Sequence, residues 1–496
     1  MKRRFLAVAA ALLMATGVKA QDDILLDSPV LDVFNFSYLS LNGTASYVGR
    51  AGAIGALGGD FTAASYNPAG LGFFYSSRMS LTPMIDNAPT QSSYMGYKTS
   101  ASRTTFKIGS FEILLAMPAT STDESGWRSF QFGIGFNRLK SFNGRSYVKG
   151  DYTLNSLLDP WVDNGNSSGY LDEFSSQLAY NAYLIDTLSG GNRFFNNFAG
   201  YNEGLSQERH FTTTGGISEI PISFSGNYGD KLYIGATVGI PVLSYNSTSV
   251  YRETADHSGY FFDYAEDYEV SATGINFKFG AIYRPVEMLR IGLAIHTPTL
   301  YEVKDVYSTS IYNNENGVTS YSRESEGSYN FRTPMKLIAS LGAVFGHQGS
   351  SVAGSVDVDY EFSNYKSMAL SPIDNDHNDL DYENWRHRMN VQIDNAYRGG
   401  HVLRAGGSLN VRHWVLRAGL AYFSNPYQEF DNAEFKNAEA LSLACGFGYQ
   451  TSHFFWDFAY AHTTSKDMDA FATYNAQNIQ YSNYRNLFTT TFGFKF

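Results

Sequence analysis

The sequence predicts an all-β fold, a transmembrane antiparallel β-barrel of about fourteen strands with a plug at its N-terminal end. Three observations lead to this prediction. Short segments alternate apolar with polar or small residues, tight turns alternate with long polar connections, and the chain begins with an export-type segment and ends with an aromatic strand. Membrane barrels show this alternation over about ten residues per strand, with short turns on one side and long loops on the other.

The composition agrees with strands rather than helices. Of the 496 residues 16% are aromatic, with 36 Tyr and 37 Phe, and 46 are Gly, whereas only 17% are charged. Aromatic residues favour half-buried strands. A single cysteine, Cys445, excludes an intramolecular disulfide and a cysteine metal site. The net charge of −11 argues against a nucleic-acid partner, because a phosphate backbone requires a basic surface.

Residues 1–20 have the pattern of a secretory signal peptide. Lys2, Arg3 and Arg4 precede an apolar run that is too short to span a bilayer, and small residues around Ala20 mark a cleavage site. Removal of this segment would change the net charge from −11 to −15. After it no run of 18 apolar residues occurs, so a transmembrane helix is excluded at this level.

Alternation locates the strands. In one of them Leu232 and Ile234 point to one face while Tyr233 and Gly235 point to the other. Fourteen strands are predicted, near residues 78–86, 104–117, 127–140, 217–227, 231–244, 268–282, 288–306, 329–345, 350–363, 399–411, 413–424, 439–449, 453–463 and 487–496. An even number places both ends of the barrel on the periplasmic side. The last strand ends in Phe496, which is similar to the C-terminal signal that barrel-assembly machinery recognises.

The connections distinguish a membrane barrel from a soluble β-sandwich. Tight turns are predicted near 227–230, 284–287, 346–349, 410–413 and 450–452. Long polar stretches occupy 244–267, 307–330, 364–399, 424–438 and 463–485. Short and long connections alternate from Ile217 onward, as barrel topology requires. A soluble sandwich has no reason to follow this rule.

One insertion, residues 145–212, is predicted to be extracellular and partly helical. Its apolar residues recur at helical spacing: Leu171, Phe174, Leu178, Ala182, Ile185 and Leu188. Two interpretations remain open. The apolar face packs on the barrel rim, or Leu171, Phe174, Leu178 and Ile185 form a first capture site for a hydrophobic ligand.

The N-terminal segment 21–76, ahead of a barrel at 77–496, is rich in glycine. Gly49, Gly52, Gly55 and Gly58 recur every three residues, but no Lys-Ser or Lys-Thr follows, which excludes a phosphate loop. Glycine instead allows a chain to fold tightly in a confined lumen. The segment therefore has the character of a plug.

The plug segment carries the main sequence resemblance. It ends in Asn67, Pro68, Ala69 and Gly70, and the stretch from Gly43 to Gly72 resembles the FadL family of outer-membrane transporters for hydrophobic compounds. The resemblance implies an N-terminal hatch inside a fourteen-stranded barrel. It also implies passive diffusion of an apolar substrate and sideways release through a kinked third strand, with Asn67, Pro68 and Ala69 facing the kink.

The third strand agrees with such an opening. Alternation places four apolar residues toward lipid and four small or polar residues toward the lumen, respectively Phe130, Phe132, Ile134, Phe136 and Gln131, Gly133, Gly135, Asn137. Glycine in a strand marks a bend or a close backbone approach. We expect Gly133 and Gly135 to flank the lateral gate, so that leucine at either position slows uptake without impairing assembly. The alternative is that both glycines only fit the curvature of the barrel.

The predicted function is passive uptake of hydrophobic small molecules, fatty-acid-like or aromatic, by a monomer without cofactor or metal. Its predicted partners are this ligand, outer-membrane lipid and lipopolysaccharide, and the assembly machinery during biogenesis. The alternative is a non-transporting barrel that acts as a surface scaffold or secretion component. An enzyme is disfavoured because the inward His296 follows no nucleophile motif. The acidic stretch 374–381 lacks the glycine of a calcium loop and is interpreted as solvated.

Overall fold

The computed structural model describes residues 28–119, 126–153, 155–188, 191, 193–198, 204–346, 351–373, 380–428, 438–470 and 478–496. The predicted signal peptide, 1–20, lies outside these residues, and so does the 374–379 part of the acidic stretch.

The strands and helices have the following bounds. The strands are β1 (Arg78–Tyr94), β2 (Tyr97–Pro118), β3 (Trp127–Ser141), β4 (Gly144–Thr153), β5 (Ile185–Thr187), β6 (Phe194–Asn196), β7 (Leu205–Tyr228), β8 (Leu232–Ala255), β9 (Phe261–Tyr283), β10 (Leu289–His296), β11 (Leu300–Asn313), β12 (Val318–Tyr321), β13 (Ser325–Arg332), β14 (Lys336–Phe345), β15 (Val352–Asn364), β16 (Ala369–Pro372), β17 (Gly399–Val411), β18 (Trp414–Phe423), β19 (Ala440–Gln450), β20 (Phe454–Ala470) and β21 (Asn478–Lys495). The helices are α1 (Ser28–Ser37), α2 (Ala45–Gly49), α3 (Leu158–Ser168), α4 (Ser176–Asn181) and α5 (Leu380–Ala396). No helix in the described ranges is long and apolar enough to cross a membrane.

Fourteen antiparallel wall strands form a closed barrel, which confirms the predicted fold. Two of them consist of two pieces, β10 with β11 and β13 with β14, because Pro298 and Pro334 interrupt the ladder. The barrel closes where β1 pairs with β21, for example Leu81 with Phe492. Closure pairs both edges of the sheet, which a chain in hydrocarbon requires.

The outer surface of the barrel is an apolar belt. On β8 the side chains of Leu232 and Ile234 point outward, and Ile234 is 42% exposed, whereas Tyr233 and Thr237 point inward and are buried. The C-terminal strand follows the same rule, since Phe488, Phe492 and Phe494 are all exposed. These outward apolar side chains contact lipid, and the inward ones contact the contents of the lumen.

Above the belt the strands continue further than predicted. β8 runs to Ala255 and β9 starts at Phe261, so most of the polar stretch 244–267 is paired strand, and only the residues between them form a loop. The stretches 307–330 and 463–485 are likewise shortened by β11, β13, β20 and β21. The prediction failed there because a strand in water needs no apolar face, so its alternation is no longer visible in the sequence.

Turns at the short connections have the expected backbone chemistry. Met95 and Gly96 join β1 to β2 and both have positive φ, which is the geometry of a two-residue type I′ hairpin. Three residues, Gly229, Asp230 and Lys231, join β7 to β8, and the first two of them also have positive φ. These turns fix the register of both hairpins.

The N-terminal segment fills the lumen. Helix α1 packs among aromatic residues of the wall and its connections, with Phe34 stacked on Tyr397 at a centroid distance of 4.9 Å and Phe36 against Phe142 and Tyr245 at 5.7 Å each. Helix α2 and two 3-10 turns, Phe61–Ser65 and Pro68–Phe73, follow before β1 begins at Arg78. This arrangement agrees with a plug, and the hatch stays a prediction.

Within the predicted insertion 145–212, the part that forms a loop is shorter than expected. Its first part is β4, which pairs with the upper end of β7 through Gly144 and Thr213, so both extend the wall. The remainder contains α3, α4 and the β5–β6 hairpin. The predicted single helical stripe from Leu171 to Leu188 is wrong, because α4 ends before Ala182 and Tyr183 has a φ of 61°, which a helix does not accommodate.

Candidate functional site

The wall has a gap between β3 and β7. Ile134 pairs with Ile222, and Asn137 pairs with Glu219. The two residues of β3 between these pairs do not pair with Ile220 and Pro221 of β7, and all of this stretch lies in the described ranges. Proline has no N–H and cannot donate to a ladder. We call the four residues that do not pair across this edge the wall gap, and they are Gly135, Phe136, Ile220 and Pro221. On its other edge β3 remains paired to β2.

A ring of the hatch covers the wall gap from inside. Phe61, in the first 3-10 turn, is 1% exposed. A Cβ placed on Gly133 would lie 3.2 Å from Phe61 Cε2 and 3.6 Å from Leu71 Cδ1. Gly133 and Gly135 therefore leave room for the Phe61 ring against β3. The structure brings together the two predicted gate glycines, and it adds Phe61 and Leu71 of the hatch, which no sequence pattern identifies.

Asn67, Pro68 and Ala69, which we call the hatch signature, do not lie opposite the third strand. This corrects their expected position facing a kink in that strand. Asn67 and Pro68 pack against Gly280 of β9 and Gly235 of β8, where a Cβ on either glycine would overlap them. The reason is topological. Phe61 already occupies the surface of β3, and the second 3-10 turn crosses the inner face of β7, β8 and β9.

The signature shapes the hatch turn. Asn67 caps the second 3-10 turn, because its Oδ1 accepts a hydrogen bond from Ala69 N at 3.2 Å while its Nδ2 donates to Gly55 O at 2.6 Å. A Cβ on Gly70 would lie 2.8 Å from Gly58 Cα, so only glycine permits this backbone crossing. The motif thus fixes the fold of the hatch, and Phe61 and Leu71, which lie within the two turns, face Gly133 beside the wall gap.

Gly135 also requires a correction. A Cβ there would overlap the backbone carbonyl oxygen of Phe111 on β2 as well as the Phe61 ring. A backbone atom cannot move aside as a side chain can, so leucine at Gly135 would disturb the pairing of β2 with β3. Only Gly133 is suited to a test that leaves assembly intact.

The predicted capture residues do not form an open landing site. Phe174, Leu178 and Ile185 are each no more than 2% exposed, and Leu171 packs over Gly165 of α3. The carbonyl of Phe174 accepts hydrogen bonds from Tyr264 at 3.1 Å and from Thr309 at 2.6 Å. The insertion therefore packs on the barrel rim, which was the other interpretation left open by the sequence.

Two cavities lie inside the barrel above the hatch. The upper chamber, of about 740 Å³, is bordered by α1 and by Lys140, Phe142, Phe211 and Arg485. The lower cavity, of about 100 Å³, is bordered by Thr62 and Ser65 of the hatch and by Glu219 at the edge of the wall gap. Both share the wall of the 38–41 segment. The cavities thus form a series from the upper lumen to the gap.

The lower cavity is polar. Glu219 forms an ion pair with Lys278, and Glu361 accepts from Arg404 at 2.8 Å and lies 3.3 Å from Lys336. Such pairs satisfy charges that would otherwise be costly in the enclosed lumen. A solute that passes from the chamber to the wall gap therefore meets a ring of paired charges, which a completely dry apolar route would lack.

Two carboxylates of β15 hold the hatch against the wall opposite the gap. Asp359 accepts from the backbone N–H groups of Ile54 at 3.0 Å and Gly55 at 3.1 Å. Asp357 accepts from those of Ala56 at 3.1 Å and Leu57 at 3.2 Å. Two side chains thus satisfy four consecutive backbone donors, and this is the densest polar connection between hatch and barrel that the described residues contain.

The inward histidine of β10 contacts the hatch backbone. His296 points inward as predicted, and its Nε2 lies 2.7 Å from the carbonyl oxygen of Tyr66. Its ring is therefore engaged with the hatch backbone. In the described ranges no group of three or more His, Cys, Asp or Glu side chains is placed to hold a metal ion.

Helix α1 carries an acid whose ionisation should affect its docking. Asp32 accepts a hydrogen bond from Tyr268 at 2.8 Å, and its burial in the lumen raises its pKa from 3.8 to about 7. The pKa of Asp32 is higher when α1 is docked in the lumen than when it is not, so ionisation of Asp32 disfavours docking. The stabilisation of the docked helix therefore decreases as the pH rises from about 4 to about 7, and it decreases no further above that range. We expect the amides of α1 to exchange hydrogen faster at pH 8 than at pH 5.5, after correction for intrinsic rates.

The Asp32→Asn variant is the matched control for this prediction. It keeps the shape of the side chain but has no charge to lose, so its corrected exchange rates should be equal at both pH values. Equal rates in the wild type would contradict the raised pKa.

Comparisons with known proteins agree on the fold. No family model matches the chain, and no curated protein matches its sequence. Among solved structures, the Pseudomonas putida toluene transporter TodX is similar at a TM-score of 0.55 with 13% identity over 92% of this chain and 99% of its own. A Pseudomonas aeruginosa FadL homologue is similar at 0.53 with 14% identity over 93% and 100%. The fold implied by the sequence resemblance is therefore confirmed.

The membrane location follows from the barrel itself. A closed antiparallel barrel with an apolar outer belt and a polar lumen is the form in which strands cross a membrane. Barrels of this kind belong to the bacterial outer membrane. The chain is an integral outer-membrane β-barrel.

Proposed function

We propose that the protein carries hydrophobic small molecules passively across the outer membrane and releases them sideways into the lipid through the wall gap. The observation that supports this most is the missing ladder beside Pro221, which coincides with Gly133, Gly135 and the hatch ring Phe61. An opening in the wall that only a side chain covers can let a solute out, whereas the paired part of the ladder cannot. The solved structures named above include a toluene transporter, which agrees with this function.

The proposed route has three stages. A solute occupies the upper chamber, moves past the 38–41 segment into the lower cavity, and reaches the wall gap beside Glu219. There the Phe61 ring moves aside, and the solute enters the hydrocarbon layer outside Phe136 and Ile220. Transfer of apolar surface from an aqueous lumen into hydrocarbon is favourable by about 25 cal/mol per Å², so no energy input is needed for release.

Solute selectivity tests the proposal. In vesicles whose outer leaflet is lipopolysaccharide, which resists apolar solutes, the purified protein should increase the rate of toluene entry by about tenfold over protein-free vesicles and leave the entry of glucose unchanged. The rates are measured with radiolabelled solutes by rapid filtration into vesicles that contain a trap for toluene. Equal toluene entry with and without protein would overturn the proposal and favour the alternative, a non-transporting surface scaffold.

A further inference from the structure

We propose that Tyr66 is a positioning residue that keeps the exit through the wall gap closed, and that Arg404 and His296 hold it in place. We call the contacts of these two side chains with Tyr66 the hatch clamp. The inference rests on the proposed function, since it concerns the exit that this function uses. It extends that function, because it identifies what fixes the cover of the gap before a solute leaves.

Tyr66 joins the two turns of the hatch that lie beside the gap. The first 3-10 turn, Phe61–Ser65, carries the ring that packs against Gly133. Tyr66 ends this turn, because its backbone N–H donates to the carbonyl oxygen of Ala63 at 3.0 Å. The second turn, which contains Leu71, begins two residues later. The position of Tyr66 therefore affects both turns whose side chains face Gly133.

Two wall strands hold Tyr66 through different atoms. Arg404 of β17 donates from Nη1 to the Tyr66 hydroxyl at 2.9 Å, and its guanidinium carbon lies 5.1 Å from the centre of the Tyr66 ring. His296 of β10 places its Nε2 2.7 Å from the Tyr66 carbonyl oxygen, which can only accept a hydrogen bond. One contact with the side chain and one with the backbone thus fix both the orientation and the position of this residue.

The same turn is also attached to the edge of the gap. Asn137, which follows Phe136 of the wall gap, donates from Nδ2 to Ser65 Oγ at 2.9 Å. Asn137 belongs to the third of the fourteen wall strands and Arg404 to the tenth, so the two side chains reach inward from opposite sides of the barrel. The neighbours Ser65 and Tyr66 are thus bound to opposite walls, and release of Tyr66 leaves the turn held at one end only.

The clamp borders the lower cavity, where the proposed route ends. The residues of the clamp and of the turn that line this cavity are Tyr66, Arg404, His296, Thr62 and Ser65. The cavity has a volume of about 100 Å³. An apolar cavity that binds benzene in another protein has about 150 Å³, so an aromatic solute needs more room than the closed clamp leaves. Such a solute binds more tightly when the turn has moved, and it therefore favours the open state.

Tyr66→Phe tests the clamp. It removes the hydroxyl that accepts from Arg404 but keeps the ring, and Arg404 retains its ion pair with Glu361 at 2.8 Å, so no charge is left unpaired. Hydrogen exchange of the hatch amides is measured by mass spectrometry in the wild type and the variant. We expect the amides of residues 61–66 to exchange at least about threefold faster in the variant, because a hydrogen bond to a charged group is lost.

A second hatch segment separates positioning from general stability. The amides of residues 54–57 are bound by Asp357 and Asp359 and not by the clamp, so they should exchange at the wild-type rate in Tyr66→Phe. Equal acceleration of both segments would show that Tyr66 supports the hatch as a whole, and it would overturn the inference. Unchanged exchange of residues 61–66 would overturn it as well.

Tyr251→Phe is the matched control. It also removes a buried hydroxyl, which donates to Glu253 at 2.8 Å, but it lies near the upper end of β8. Both hatch segments should exchange at the wild-type rate in this variant. Acceleration of residues 61–66 equal to that in Tyr66→Phe would contradict a specific role of Tyr66.

The rate of toluene entry is the second readout. Tyr66→Phe should raise it by about threefold in the same vesicles, since a larger fraction of the protein has the turn displaced, whereas Tyr251→Phe should keep the wild-type rate. Faster exchange of residues 61–66 without faster entry would show that the turn is not the barrier, and it would overturn the inference. If the wild type itself does not accelerate toluene entry, the proposed function fails, while the exchange rates still decide whether Tyr66 fixes the turn.

Discussion

Gly133→Leu is expected to lower the rate of toluene uptake by about tenfold or more while the barrel still folds. A Cβ at Gly133 would lie 3.2 Å from the Phe61 ring and 3.6 Å from Leu71, so the remainder of a leucine would fill the space between β3 and the hatch. Its nearest neighbours are side chains, which can move by a few tenths of an ångström, so the ladder on β2 is preserved. Uptake is measured in the same lipopolysaccharide-covered vesicles, and folding is measured by heat-modifiable migration in gels.

Two further variants define the result. Gly354→Leu is the control, because Gly354 is also a strand glycine with its nearest atom at 3.4 Å but lies on β15 away from the wall gap. It should retain wild-type uptake. Phe61→Ala removes the ring that covers the gap and should raise uptake. Normal uptake in a folded Gly133→Leu variant would show that solute does not leave beside β3.

The double variant Asp357→Ala/Asp359→Ala is expected to free the hatch from the wall. Four backbone N–H groups, from Ile54 to Leu57, would lose their acceptors inside the lumen. A buried backbone N–H group that loses its acceptor costs about 1–3 kcal/mol, so the combined loss is large compared with the stability of a small loop domain. We expect rapid protease cleavage within the hatch and a measurable ion conductance in planar bilayers.

The double variant Asp357→Asn/Asp359→Asn is the matched control. Each asparagine retains one carbonyl oxygen that can accept from the hatch backbone, so cleavage and conductance should lie between those of the wild type and the alanine variant. A hatch that remains protected in the alanine variant would show that these carboxylates do not anchor it.

The part of the fold that lipid determines could be predicted from the sequence. Within the apolar belt every outward position must be apolar, so strands such as 127–140, 399–411 and 439–449 were located to within about two residues of β3, β17 and β19. Above the belt water accepts polar residues on both faces. The alternation then disappears, so the sequence does not distinguish the upper parts of β8, β9 and β11 from loops.

The candidate site was predictable only in part. Inward glycines on β3 identified the strand that faces the hatch, because a missing side chain records a close approach. The partner of that approach, Phe61, could not be found, since an apolar residue among small ones has no distinguishing pattern. The position of Asn67 and Pro68 is not predictable either, because the path of the hatch across β7, β8 and β9 depends on tertiary packing.

Lateral release through the wall gap is the central claim, and a reversible cross-link tests it most directly. In a Cys445→Ala background, Phe136→Cys and Ile220→Cys face each other across the gap by the register of the flanking pairs, and Phe132→Cys with Phe224→Cys are the control on paired ladder. Both pairs are joined by a short bifunctional thiol reagent that a reductant cleaves. Cross-linking across the gap should lower toluene uptake by about tenfold and reduction should restore it, whereas the control cross-link should have no effect. Full uptake through a barrel that is cross-linked across the gap would contradict the account.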